Sequence, residues 1–327
     1  MTERVFVIGC GSIGQRHIRN LRMLGVQDIS AYDPMAERLE LVAREHGVST
    51  CPSIEAGLAN KPDVALICTP PHLHTSIARQ AVDAGAHVFV EKPIAHKLDG
   101  LDDLLRAAEM HKRILYVAYN LRFHAGLRKL KEILDSGAIG KLLVIRAEVG
   151  QYLPDWRPMQ DYRAGYNVSA ATGGGIILDA SHELDYVRWL GGEVESVACV
   201  AGHLSDLEMD VEDIAAITLR LSNHVIAEVH LDCVQRGYAR NCKLIGSDGT
   251  LIWEFKEGVR QLLPDKTWHV YPIVPDPNDM YVAELSHFLA CVRGEESPRV
   301  SGADGRRVLE IALAAKRSAQ TRCEVAV

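Results

Sequence analysis

From Arg4 to about Asn120, short runs of β-branched and apolar residues alternate with stretches of helical period. The pattern predicts strands at Val5 to Ile8, Asp28 to Tyr32, Asp63 to Cys68, His87 to Val90 and Leu115 to Ala118. The helices between them end near Gly25, Gly47 and Gly85, where a left-handed residue closes a helix. Such alternation builds an α/β Rossmann domain with a parallel, doubly wound sheet, expected over residues 1–120.

After Arg122 the pattern changes. A helical period around Leu127 to Leu134 leads through Ser136-Gly137 into a strand from Lys141 to Val149. Further strands are predicted at Val194 to Ala201, Ile214 to Leu221, Val225 to Val234, Arg240 to Ile245 and Thr250 to Phe255. Helices are expected near Asn278 to Arg293 and Asp304 to Arg317. This half, 121–327, reads as an α+β domain with a large, mostly antiparallel open sheet covered by helices on one face. Gln151 to Thr172 has no clear period, and a loop of that length in a compact domain is more often functional than idle.

The 327 residues suit two domains, each with its own core. A net charge of -7 without any long run of like charge argues against nucleic acid and membrane partners and for a small molecule. The eight cysteines show no CxxC spacing and read as reduced thiols of a cytoplasmic protein. No leader-like pattern precedes Val5 and no segment approaches the length of an apolar span, so a soluble protein is expected.

Val5 to Ile8 runs into Gly9-Cys10-Gly11-Ser12-Ile13-Gly14 and then a helix with Ile13, His17, Leu21 and Leu24 on one face. Gly9 permits the tight turn, Gly11 lets the backbone approach a pyrophosphate, and Gly14 lets the helix pack closely, with helix N–H groups facing the anion. The second strand ends at Asp33, 19 positions after Gly14, where a carboxylate accepts from ribose hydroxyls and repels a 2'-phosphate. NAD is therefore expected over NADP, although Asp33 also suits a cap for the helix that follows. Thr69-Pro70-Pro71, after another apolar strand, forms a stiff wall for a cofactor ribose. His72 and His74 lack convergent Cys or Asp, so no metal is expected.

Lys92, in Glu91-Lys92-Pro93 directly after His87 to Val90, stands at a strand end where this architecture places ligands. Together with the glycine turn, Thr69-Pro70-Pro71 with His74, Tyr119-Asn120-Leu121-Arg122-Phe123, and Gly173-Gly174-Gly175 leading to Asp179 and His182, it resembles the Gfo/Idh/MocA oxidoreductase family over nearly the whole chain. The resemblance implies NAD(P)-dependent redox chemistry on sugars, inositols or their derivatives, and oligomer contacts through the open sheet, as a homodimer or homotetramer. It implies that Gly9, Gly11, Ser12, Ile13, Gly14, Asp33, Thr69, Pro70, Pro71, His74, Glu91 and Lys92 serve the cofactor. Lys92 is further implied to hold the substrate beside the nicotinamide. Many members separate the later carboxylate and histidine by four positions, whereas Asp179 and His182 are three apart, which weakens the transfer of a role to Asp179.

Oxidising a secondary alcohol needs a base near neutrality, and His182 suits that role. Asp179, His182 and Asp185 fall at i, i+3 spacing on what reads as one helix, so either carboxylate can tune the histidine. Asp185 also stands three residues before Arg188, the spacing of a structural pair. Tyr119, Asn120, Arg122, Trp156, Arg157, Tyr162 and Arg163 are substrate-binding candidates, since aromatic faces stack on sugars and guanidinium groups bind acidic ones. The loop can equally be pinned to its own domain by those residues. The alternatives to a dehydrogenase are an NAD-dependent glycosidase using transient C3 oxidation and a non-catalytic NAD(H)-responsive binding protein.

Overall fold

Val5–Ile8 (β1) and Val64–Ile67 (β4) are buried along their whole length, as strands covered on both faces must be. In the computed structural model, which describes residues 3–273 and 276–327, they are the centre of a six-stranded parallel sheet. Its other strands are Ile29–Tyr32 (β2), Ser49–Thr50 (β3), His87–Val90 (β5) and Leu115–Val117 (β6), in the order β3-β2-β1-β4-β5-β6. Helices Ser12–Met23 (α1), Ala36–His46 (α2), Ile54–Ala59 (α3), His74–Asp83 (α4) and Leu101–Met110 (α5) make the crossovers. Gly25, Gly47 and Gly85 all take positive φ after their helices.

Contacts divide the chain into two units, with the first boundary between Asn120 and Leu121. The first unit also takes Tyr281–Arg306, which the sequence pattern had assigned with the rest of 121–327. The cause is aromatic packing. Phe288, on Asp279–Val292 (α9), lies 5.3 Å from Phe89 and 5.5 Å from Tyr116, two rings that stack on each other in the parallel sheet.

The second unit, Leu121–Met280 with Arg307–Val327, holds a nine-stranded sheet. Its strands are Leu142–Gly150 (β7), Val194–Gly202 (β8), Ile214–Leu221 (β9), Ile226–Asp232 (β10), Ala239–Gly246 (β11), Thr250–Glu254 (β12), Gly258–Leu262 (β13), Trp268–Pro272 (β14) and Val325–Ala326 (β15). The order is β14-β13-β12-β11-β7-β10-β9-β8-β15, antiparallel throughout except between β7 and β10. Inner residues of β9 and β10 alternate with exposed ones along most of their length, so one face packs and the other is open. Ala125–Asp135 (α6), Ile176–Asp179 (α7), Ser181–Gly191 (α8) and Gly302–Thr321 (α10) complete the helices. The strands β13, β14 and β15 lie beyond the pattern the sequence displays, because all three are short, β14 and β15 are largely exposed, and Arg260 and Gln261 interrupt the apolar run of β13.

The start of α6 shows how the second core is closed. His124 is its N-cap, with Nδ1 accepting from Gly126 N at 3.1 Å, and its ring packs on Phe255 and Trp253. Gly126 is required there because a Cβ would strike the Trp253 indole, which is fully buried. Burial, helped by Arg240, pushes the His124 pKa down to about 4. The folded ring is therefore neutral between that value and its ordinary 6.5, while the unfolded chain binds a proton there. This contribution is complete above 6.5 and is lost as pH falls toward 4, up to about 3 kcal/mol in all. His124→Asn keeps an acceptor at the cap without a titrating ring, so its thermal melts should fall less steeply than wild type between pH about 6.5 and about 4.5. Parallel melting curves for the two proteins would remove His124 as the acid-sensitive group.

Candidate active site

The glycine turn is built as a cradle. Gly9 has φ +97°, and a Cβ on it would meet the Cys68 carbonyl at 2.7 Å. A Cβ on Gly14 would overlap the Gly9 carbonyl, so only glycine lets α1 sit this close to the end of β1. At Gly11 the nearest atom to a Cβ is Arg38 Nη1 at 3.9 Å, which leaves room over the turn. Helix α1 has no side-chain cap and no acidic residue in its first turn. That combination fits an anion such as a pyrophosphate at its N-terminus, and the residues present fit NAD.

Asp33 is buried and holds both the turn and the next helix. Its Oδ2 accepts from Cys10 N at 2.8 Å and its Oδ1 from Met35 N at 2.9 Å, Met35 being the N-cap of α2. One carboxylate thus ties the glycine turn to the residue that caps the next helix. Arg38 has Nη1 3.6 Å from Asp33 Oδ2 and leans over the glycine turn. The neighbouring thiols are silent: burial, reinforced by Asp33, pushes Cys10 up to about 12, and burial holds Cys68 well above its ordinary value.

Thr69, Pro70 and Pro71 follow β4, and Thr69 Oγ1 is a buried hydroxyl with no protein partner. His74 is 1% exposed and its ring faces two backbone carbonyls. Its Nδ1 lies 2.9 Å from the Pro93 carbonyl oxygen and its Nε2 2.7 Å from that of Thr69. Burial lowers its pKa against the pull of these two carbonyls, and the neutral ring donates to one of them in each tautomer. Glu91 is likewise engaged inside the protein, with Oε1 2.7 Å from His17 Nε2 and Oε2 accepting from Lys92 N at 3.3 Å. Lys92 itself is half-buried at the exit of β5.

Two substrate candidates prove to be interior. Tyr119 is fully buried. Arg122 is buried and donates through Nε and Nη2 to the two oxygens of Asp185, at 2.9 and 2.6 Å. A guanidinium held bidentately by a buried carboxylate is fixed in position and orientation. Asn120 is buried with its Oδ1 lacking a partner.

In the second unit Asp179 and His182 do not share one helix. The chain breaks at Ala180 (φ -94°, ψ 31°), so Asp179 ends α7 and His182 lies in the first turn of α8. Tyr166 Oη donates to Asp179 Oδ1 at 2.9 Å, a contact that sequence reasoning missed. Asp185 is committed to Arg122, and Arg188 bonds Glu193. The triple glycine serves the protein backbone more than a ligand: a Cβ on Gly174 would meet the Asn167 and Tyr166 carbonyls, and one on Gly175 the Glu212 carboxylate. Lys316 pairs with that carboxylate at 3.2 Å.

The loop 151–172 is a chain of short 3-10 turns tied to its own unit. Trp156 Nε1 donates to the Gln151 carbonyl, and Tyr162 Oη accepts from Glu208 N. Arg163 spends its guanidinium on Asp161 and Glu208. Arg157 is exposed. Among the described residues no helix is long and apolar enough to cross a membrane.

Residues 3–119 match the model of an oxidoreductase family with an NAD-binding Rossmann fold, and residues 127–252 match the GFO/IDH/MocA C-terminal domain. The chain is 31% identical over 342 aligned positions to myo-inositol 2-dehydrogenase of Thermotoga maritima, covering 98% of each. Its fold matches that of the WlbA dehydrogenase of Bordetella pertussis in complex with NADH and UDP-GlcNAcA, with a TM-score of 0.87 at 22% identity over 100% of this chain and 98% of that one. It also matches levoglucosan dehydrogenase in complex with NADH and levoglucosan, with a TM-score of 0.88 at 22% identity over 100% and 99%. Both domain models lie in order along the sequence, and the identity to the Thermotoga enzyme runs the whole length, so the chain belongs to the Gfo/Idh/MocA family of NAD-binding oxidoreductases.

Proposed function

We propose that this oxidoreductase moves a hydride between NAD and a ring carbon bearing a secondary hydroxyl, in a cyclic polyol or sugar. The observation that carries this is the strand order β2-β1-β4-β5, because the carboxyl ends of β1, β4 and β5 are neighbours. The glycine turn, Thr69 and Lys92 therefore leave one edge of the sheet together, and that edge is where open parallel sheets bind ligands. The full-length identity to a myo-inositol 2-dehydrogenase supports a polyhydroxylated ring as substrate.

Bound NAD supplies the hydride acceptor. The ammonium of Lys92 hydrogen-bonds the reacting hydroxyl, and His182 accepts its proton as the alcohol becomes a carbonyl. Asp179, steadied by Tyr166, orients His182. In reduction the same groups return the proton. Lys92→Met should lower kcat by about 10^2–10^4 while NAD still raises the melting temperature of the variant. Wild-type turnover in that variant would take Lys92 out of the mechanism.

Of the two cations that hinted at an acidic or nucleotide-linked sugar, Arg163 is neutralised by Glu208 and Asp161, while Arg157 is exposed. The pairing of Arg163, together with the inositol dehydrogenase relative, supports an uncharged substrate. With NADH absorbance as readout, kcat/KM for a neutral inositol or anhydrosugar should exceed that for a uronic acid nucleotide sugar by at least about tenfold, the scale of one unmatched polar contact. The reverse order would return the substrate to the acidic class. NADH formation itself separates a dehydrogenase from a glycosidase that re-reduces its intermediate.

We also assign the open face of the nine-stranded sheet to contacts between copies of this chain, in a homodimer or homotetramer. Small and apolar side chains such as Ala198, Val200 and Ala216 lie there beside Arg146, Glu228 and Lys243, and Val200 is 79% exposed. A mixed apolar and charged face of this kind is self-complementary across a two-fold axis. Val200→Asp should shift the protein to monomer in sedimentation while NAD binding persists, and an unchanged sedimentation coefficient would place the interface elsewhere. Eight unpaired thiols support a reducing, cytoplasmic location.

A further inference from the structure

Lys92 follows β5 after a single intervening residue, so what fixes it must act through its neighbours. Each neighbour is held by a buried histidine from a different cofactor-side element. His17, three residues beyond Gly14 on α1, is fully buried against Phe89, and its Nε2 lies 2.7 Å from Oε1 of Glu91. Glu91 in turn accepts from Lys92 N through its other oxygen. His74, at the start of α4, lies with Nδ1 2.9 Å from the carbonyl of Pro93 and Nε2 2.7 Å from that of Thr69.

The geometry points to His17 and His74 as a two-point clamp that sets the position of Lys92, tying Glu91 to the glycine-turn helix and Pro93 to the first residue of α4, just after the Thr69-Pro70-Pro71 exit. Neither histidine touches the reacting atoms, so both are positioning residues. The inference rests on the role of Lys92 given above, and it adds a mechanical link: the segments expected to hold the cofactor are those that locate the lysine. The rest of the His17 ring also argues for a dedicated bond. Its Nδ1 is buried without a partner, so the ring is retained in an apolar site for the one contact to Glu91.

Because the two histidines use different ring nitrogens toward Lys92, their amide replacements separate a clamp from a merely structural role. The amide nitrogen of Gln reaches as far from Cβ as Nε2, and that of Asn as far as Nδ1. His17→Gln and His74→Asn therefore keep the bonds to Glu91 and Pro93, whereas His17→Asn and His74→Gln lose them. The readouts are kcat per NAD-binding site, the Kd of NAD by fluorescence titration, and the melting temperature. The clamp predicts that kcat falls at least about tenfold in His17→Asn and His74→Gln, one hydrogen bond's worth of transition-state stabilisation. It predicts kcat within about threefold of wild type in His17→Gln and His74→Asn, with the Kd of NAD within about threefold in all four. Equal losses in all four variants, losses that track melting temperature, or a Kd that moves with kcat would each overturn it. Lys92→Met measured alongside keeps the two ideas apart. Full activity there refutes the role of Lys92, while an inactive Lys92→Met with no crossed rescue pattern refutes the clamp alone.

Discussion

The first unit depends on a contact that no side chain makes. Helix α1 approaches the end of β1 so closely that a methyl group on Gly14 would overlap the Gly9 carbonyl. That approach seats the uncapped N-terminus of α1 over the turn and carries His17 one helical turn further, down to Glu91. Packing density leaves no slack for such a contact, so the anion cradle and the support of Lys92 are set by the same missing atoms. Asp33 completes the arrangement by drawing Cys10 N and Met35 N onto one carboxylate.

The second unit is organised by buried charge. Arg122 and Asp185 close a bidentate pair in the interior, and Arg240 holds Glu183 at 2.9 Å, both members shielded from water. Losing one partner of such a pair costs more than the pair contributes, so these groups fix which packing of the helices on the sheet is allowed. Around the candidate carboxylate, the close approach of Gly174 and Gly175 to residues 166–167 and 212 lets Tyr166 reach Asp179. The loop is thereby part of the support of the site.

Periodicity made most of this architecture legible. Val5 to Ile8, His87 to Val90 and Ile214 to Leu221 begin and end where their patterns do, because burial on two faces or one leaves a continuous or alternating apolar signal. The glycine turn was readable for a different reason, since its geometry is local. Long-range commitments were not. Arg122 finds Asp185 63 residues away, and nothing near either residue announces the pair. The break at Ala180 carries no proline or glycine, so three residues at helical spacing concealed two helices. His17 left one sign, a polar residue on an otherwise apolar helix face, and α9 left none of its allegiance to the first unit.

The double duty of Asp33 bears on how such a chain changes over generations. A residue that only read the ribose could be exchanged freely when a lineage adopts a phosphorylated cofactor. Here the same oxygens hold the glycine turn and open the next helix, so any replacement must still accept from two backbone amides. Arg38 stands 3.6 Å away, and the carboxylate beside it cannot leave without loosening the turn. Cofactor preference in this protein is thus inherited together with the shape of its loop.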